Sequence, residues 1–166
     1  MPHKHRDAVE LLDADHQAVH KLFRAYAALA AHDAPDARRR ALAEQICMEL
    51  TLHARLEDEI FYPAVRDALR DDDLMDEAEV EHASARDLIA QILSMKPGDE
   101  LYDAKVTVLG EYIDHHVRQE REQMFPKARK SGVDLGALGQ RLHERKRELQ
   151  AVIEALREEA LTSLTA

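Results

Sequence analysis

The chain has 166 residues, 34% of them charged, and a formal net charge of −10. That length suits one domain with a sizeable core, and the acidic balance argues against nucleic acid as a partner, because duplex binding needs a cationic face. A single cysteine, Cys47, excludes an intramolecular disulfide and any thiolate cluster.

Ala, Leu, Glu and Arg dominate, and these are good helix formers. Cys47 lies between Ile46 and Met48 and reads as a small buried apolar residue. No apolar run approaches the roughly 20 residues of a membrane span. The polar, basic start, Met1 to Asp7, carries no signal-peptide pattern, so the protein is expected in the cytoplasm.

Periodicity predicts five helical segments. The first runs from about Asp7 to Ala31, with an apolar stripe of Val9, Leu12, Val19, Phe23, Tyr26 and Leu29 and with His16 inside it. His32 to Asp36 reads as a turn. The second runs from about Ala37 to Arg70. Its inner face is Leu42, Ile46, Leu50, Ile60 and Ala64, with His53 and Glu57 on the same face. Pro63 predicts a bend or a local break there. The acids Asp71 to Asp73 suit the start of a third helix, from about Leu74 to Met95. That helix turns Ala78, Ala85, Leu88, Ile89 and Ile92 inward, with His82 among them. A fourth, from about Leu101 to Lys130, carries Val106, Leu109, Ile113 and Met124, with His116 and Glu120 in the stripe. A fifth, from about Leu135 to Glu158, has a narrower stripe of Leu138, Leu142, Leu149, Val152 and Leu156 and no candidate ligand.

No strand pattern competes. The expected fold is all-α, an up-down-up-down four-helix bundle over about 7–130 with an additional C-terminal helix over about 135–158, in a single domain 1–166.

The chain repeats itself. His53-x3-Glu57-x-Glu59-x2-Tyr62-Pro63 on the second helix matches His116-x3-Glu120-x-Glu122-x2-Phe125-Pro126 on the fourth. The helix before each copy matches as well, with Asp15-His16 in one and Glu81-His82 in the other. Residues four apart share a helix face, so each His-x3-Glu pair aims an imidazole and a carboxylate at one interior point. Bundle metal sites are built in this way from facing helices. Unpartnered buried carboxylates cost several kcal/mol each, so this set calls for cations. Imidazole plus carboxylate without thiolate suits iron, manganese or zinc, and the excess of histidine leans toward iron. Two carboxylates shared among four or more imidazoles favour two ions. Glu59 and Glu122 lie about 200° round the helix from their ligand glutamates and are expected to face solvent. The two aromatic-Pro pairs read as core packing beside a helix bend.

These residues, Asp15-His16, His53-x3-Glu57 with Phe61-Tyr62-Pro63, Glu81-His82, and His116-x3-Glu120 with Met124-Phe125-Pro126, resemble the hemerythrin-like HHE cation-binding domains over Asp7 to about Lys130. The resemblance implies a non-haem di-iron centre with Glu57 and Glu120 as bridging carboxylates. It also implies a protein that binds or senses O2 or a related small oxidant, or a di-iron redox enzyme that decomposes hydrogen peroxide or nitric oxide. The chain departs from the oxygen carriers, which resemble it less closely on the third helix: His82-x3-Arg86 stands where they have His-x3-His.

His20 lies four residues after His16 and is the candidate fifth imidazole. It also borders Lys21 and Arg24 at the edge of the stripe, where reaching only solvent is the competing outcome. The expected metal ligands are therefore His16, His20, His53, Glu57, His82, His116 and Glu120. His3, His5, His32, His115 and His143 are expected to stay away from the centre.

Overall fold

The computed structural model describes residues 5–165, and His3 lies outside them. Among the described residues every regular element is helical: α1 (Ala8–Ala31), α2 (Asp36–Leu56), α3 (Tyr62–Leu69), α4 (Asp72–Leu93), α5 (Tyr102–Gln119), α6 (Phe125–Lys130) and α7 (Leu135–Thr165). No helix among them is long and apolar enough to cross a membrane.

Local chemistry sets the helix ends. Asp7 caps α1 in a reciprocal box with Glu10: its carboxylate accepts from the Glu10 N–H at 2.8 Å, and Glu10 accepts from the Asp7 N–H at 3.0 Å. Asp71 caps α4 by accepting from the Leu74 N–H. Gly132, at φ 81°, ends the α6 turn in the left-handed region that glycine enters without strain.

The two predicted bends take a specific form. Each aromatic-Pro pair is preceded by a π-helical turn, Glu57–Phe61 after α2 and Glu120–Met124 after α5. Pro63 and Pro126 have no N–H to donate back to the preceding turn. The helix absorbs this by widening its ring: Tyr62 N–H bonds to Glu57 O and Phe125 N–H to Glu120 O. Both long segments therefore continue as helix instead of breaking.

The apolar core forms two clusters. One gathers Leu12, Leu56, Phe61, Val65, Met75, Met124 and Leu142. The other gathers Val19, Tyr26, Ile46, Cys47, Ile92, Tyr102 and Leu109. A buried polar layer, of His16, His53, Glu57, His82, His116 and Glu120, lies at the levels of the helices between them. Cys47 is buried, as expected.

The fifth predicted helix, α7, packs on α1 and α2. Gly139 makes the approach possible: a Cβ there would lie 2.8 Å from the Asp7 carbonyl carbon and closer still to the Arg6 oxygen. The expected stripe of α7 holds for Leu138, Leu142 and Leu149 but not beyond. Val152 and Leu156 are 57% and 60% exposed, because this end of α7 runs along the bundle without closing onto it.

Candidate metal centre

The six residues that the repeat singles out converge in one buried layer. His16 comes from α1, His53 from α2, Glu57 from the first π-turn, His82 from α4, His116 from α5 and Glu120 from the second π-turn, and none is more than 8% exposed. The Nε2 atoms face inward, 3.0 Å apart for His16 and His53 and 3.2 Å apart for His82 and His116. Glu57 Oε1 lies 2.9 Å from His53 Nε2 and 3.3 Å from His82 Nε2. Glu120 Oε1 touches His116 Nε2 and lies 4.0 Å from His16 Nε2. Two donor groups result, His16, His53 and Glu57 on one side and Glu57, His82, His116 and Glu120 on the other, each within 4.8 Å. Glu57 belongs to both.

Carboxylates hold the outer nitrogens. His53 Nδ1 donates to Asp15 at 3.1 Å, His116 Nδ1 to Glu81 at 3.1 Å and His82 Nδ1 to Asp58 at 2.9 Å. Fixing the proton on Nδ1 leaves the Nε2 lone pair aimed inward. Three such lone pairs thus meet two carboxylates. Both oxygens of Glu57 and Oε2 of Glu120 are buried with no hydrogen bond among the described residues. Positive charge must sit between these groups, and a metal cation meets that need with the donors present.

Without a metal, protons do the same work. Burial opposes charge on His53, but Glu57 and Asp15 outweigh it and hold the imidazole up at about 10. His82, buried yet bonded to Asp58 and 3.3 Å from the Glu57 carboxylate, is raised to about 9. Glu57 is itself buried, and His53 and His82 still draw it well below the usual carboxylate range. Glu120 rises to about 7 through burial and the neighbouring charge of Glu57. His16 falls to about 3, by burial and then by the charge of His53.

Tyr62, which the aromatic-Pro pattern alone points to as packing, is a further functional candidate. Its hydroxyl lies 3.2 Å from His82 Nε2 and 3.0 Å from His116 Nε2, and it donates to Glu120 Oε1 at 3.3 Å. In a regular α-helix Tyr62 would lie about 140° round from Glu57; the wider π-turn brings it back toward the same face. Its counterpart in the repeat, Phe125, stacks near His16 instead, with 6.0 Å between ring centroids.

The structure does not bring His20 into the cluster. One turn up α1 and about 40° round from His16, it enters the surface groove between α1 and α5, where Asp114 pairs with it at 3.5 Å and its side chain is 55% exposed. His5, His32, His115 and His143 are exposed. Glu59 faces outward to Arg55 and Arg145, and Glu122 is exposed. The groove, of about 680 Å³, reaches His16 past Lys21, Arg24, Arg118 and Arg121. A second, apolar cavity of about 40 Å³ lies against His16, His53 and His82 and is walled by Val19, Ile89 and Val117. From α7, Lys146 donates to Asp15 at 2.5 Å, behind His53.

A solved hemerythrin HHE cation binding domain-containing protein from Mycobacterium kansasii shares the fold, with a TM-score of 0.75 at 24% identity over 92% of this chain and 93% of that one. A stretch of 81 residues, 49% of this chain, is 33% identical to a DNA nickase from Nostoc sp. strain PCC 7120. The match covers 23% of that protein, so the chain spans only a fraction of this relative's length. The sequence profile of the hemerythrin HHE cation binding domain matches residues 7–128, the stretch that supplies all six converging side chains, and the chain belongs to that family.

Proposed function

We propose that this protein holds two iron ions and binds or senses O2 or a related small oxidant. One observation carries the reading: two groups of buried imidazole and carboxylate donors share Glu57, whose two oxygens have no other partner among the described residues. His16 and His53 would hold one ion and His82, His116 and Glu120 the other, with Glu57 shared between them. A thiolate-free set rich in imidazole suits iron. Bound there, iron supplies an open, redox-active position for a small ligand. The chain's own part is to orient and to exclude water. Asp15, Asp58 and Glu81 fix three of the rings, and the largely apolar cavity of about 40 Å³ offers a space of diatomic size beside them. We take residues 1–166 as one domain, with α7 part of it through Lys146.

The alternative, a di-iron enzyme decomposing hydrogen peroxide or nitric oxide, is favoured by Tyr62. Its O–H is positioned to hand a proton to the oxygen of a bound ligand. Elemental analysis tests the common part: close to two iron ions per chain are expected, and no metal or a single tightly held zinc overturns it. Stopped-flow spectra with O2 and with peroxide separate the two readings. A reversible O2 or oxidant adduct supports the first, and turnover of peroxide supports the second.

A further inference from the structure

The two halves of the centre follow the repeat closely, but the support of one histidine differs. His53 and His116 correspond, and each has a carboxylate on Nδ1 at 3.1 Å from the residue before the partner helix's histidine, Asp15 and Glu81. His82 and His16 also correspond. His82 Nδ1 bonds to Asp58, the residue after Glu57. The residue after Glu120 is Arg121, a cation that cannot accept. His16 Nδ1 is accordingly buried with no hydrogen bond among the described residues, in a residue only 6% exposed. Asp13, three residues before His16 on α1, is taken by Arg121 Nε at 2.6 Å and by Gln17 at 3.1 Å.

Three further differences point the same way. The His16 side offers three protein donors and the His82 side four. The Tyr62 hydroxyl stands on the His82 side, while the His16 side has the phenyl ring of Phe125. The groove between α1 and α5 opens toward His16, with Arg121 on its wall.

Resting on the di-iron reading above, we propose that the two metal positions are unequal. The one formed by His16, His53 and Glu57 is the labile position, and it exchanges its ion through the α1–α5 groove, with Arg121 in place of an orienting carboxylate as the cause. A metal-bound imidazole carries its proton on Nδ1, and a carboxylate accepting that proton orients the ring and raises its basicity. Losing such a partner typically weakens metal retention by about 10- to 100-fold. Arg121 is thus a positioning residue that acts through His16.

Release of iron from the loaded protein to a chromogenic chelator tests this. Two phases of equal amplitude are expected, separated by about 10- to 100-fold in rate. Arg121→Asp restores the missing acceptor and should slow the fast phase toward the slow one. Asp58→Ala, at a half-buried site, should speed the slow phase toward the fast one, and it keeps the idea testable should the first variant not fold. Two ions released in one phase, or a fast phase that Arg121→Asp leaves unchanged, overturns the proposal while the di-iron reading stands. A starting protein that never loads two ions overturns that reading and this inference together.

Discussion

Lys146 of α7 donates to the Asp15 carboxylate at 2.5 Å, and the other oxygen of that carboxylate accepts from His53 Nδ1 at 3.1 Å. The C-terminal helix thereby reaches the metal layer through two steps. Lys146→Met should weaken iron retention several-fold, and Asp15→Ala should weaken it further, by about 10- to 100-fold. Chelator competition on the two variants measures both. Equal retention in Asp15→Ala and the unsubstituted protein would remove Asp15 from the support of His53.

Glu57 belongs to both donor groups and Glu120 to one. Glu57→Ala is expected to lose both ions, and Glu120→Ala at least one. No second carboxylate stands ready, since Glu59 and Glu122 face away. Iron content per chain, with the near-ultraviolet absorption of a bridged pair, reads the outcome. A Glu57→Ala protein that keeps two ions would rule out the shared role.

Tyr62→Phe copies the residue that the repeat places at 125. The ring and its packing stay, so the melting temperature should change by only a few degrees, while a donor to Glu120 is removed. If the protein turns over peroxide, the rate should fall by about 10²-fold or more, the usual contribution of a positioned proton donor. A rate equal to that of the parent would exclude Tyr62 from the chemistry.

The metal-free protein should respond to pH in a definite direction. His53 and His82 are raised from 6.5 to about 10 and about 9 by their carboxylate partners. A raised histidine stabilises the fold fully below its unfolded value of 6.5, and that contribution is lost as pH climbs through the folded value. Thermal stability of the metal-free chain is therefore expected to decline progressively as pH rises from about 6.5 to about 10. Metal affinity should move the opposite way and increase with pH, since these imidazoles must shed protons to bind. Melting curves on chelator-stripped protein, together with metal titrations, give both slopes. A metal-free chain that gains stability through that range would contradict the carboxylate–imidazole pairing.

Gly139→Ala inserts a Cβ against the Arg6 and Asp7 backbone. The displacement of α7 should cost about 1–3 kcal/mol, the usual penalty of overpacking, or several degrees in melting temperature for a chain of this size. Differential scanning calorimetry checks it. An unchanged transition would mean that α7 can shift without loss.

Much of this was legible in the sequence because helix periodicity is a strong constraint. His53 and Glu57 share a face by their spacing of four, and so do His116 and Glu120, and a two-fold repeat supplied the matching His16 and His82. Pro63 and Pro126 announce an irregularity, but a rule of 100° per residue cannot foresee a π-turn, and so it leaves Tyr62 with the packing. His20 obeyed the same spacing as a ligand pair. The deciding factor was lateral: 40° of rotation on α1 leads toward α5 and Asp114, and which helix lies on which side is not written in one helix's pattern. Val152 and Leu156 keep the helical stripe of α7 but run past the surface that would cover them.

The polar layer also divides the molecule's apolar interior into an upper and a lower block. Hydrophobic contact is what usually makes a small domain open and close as one unit, and here that continuity is interrupted across a whole cross-section of the bundle. The ions of the proposed centre would act as rivets between the blocks. Stripped of them and pushed to high pH, where the replacement protons leave too, the two ends should exchange their amide hydrogens as separate cooperative units, with α2 and α5 slowest near Ile46 and Leu109 and the π-turns opening first.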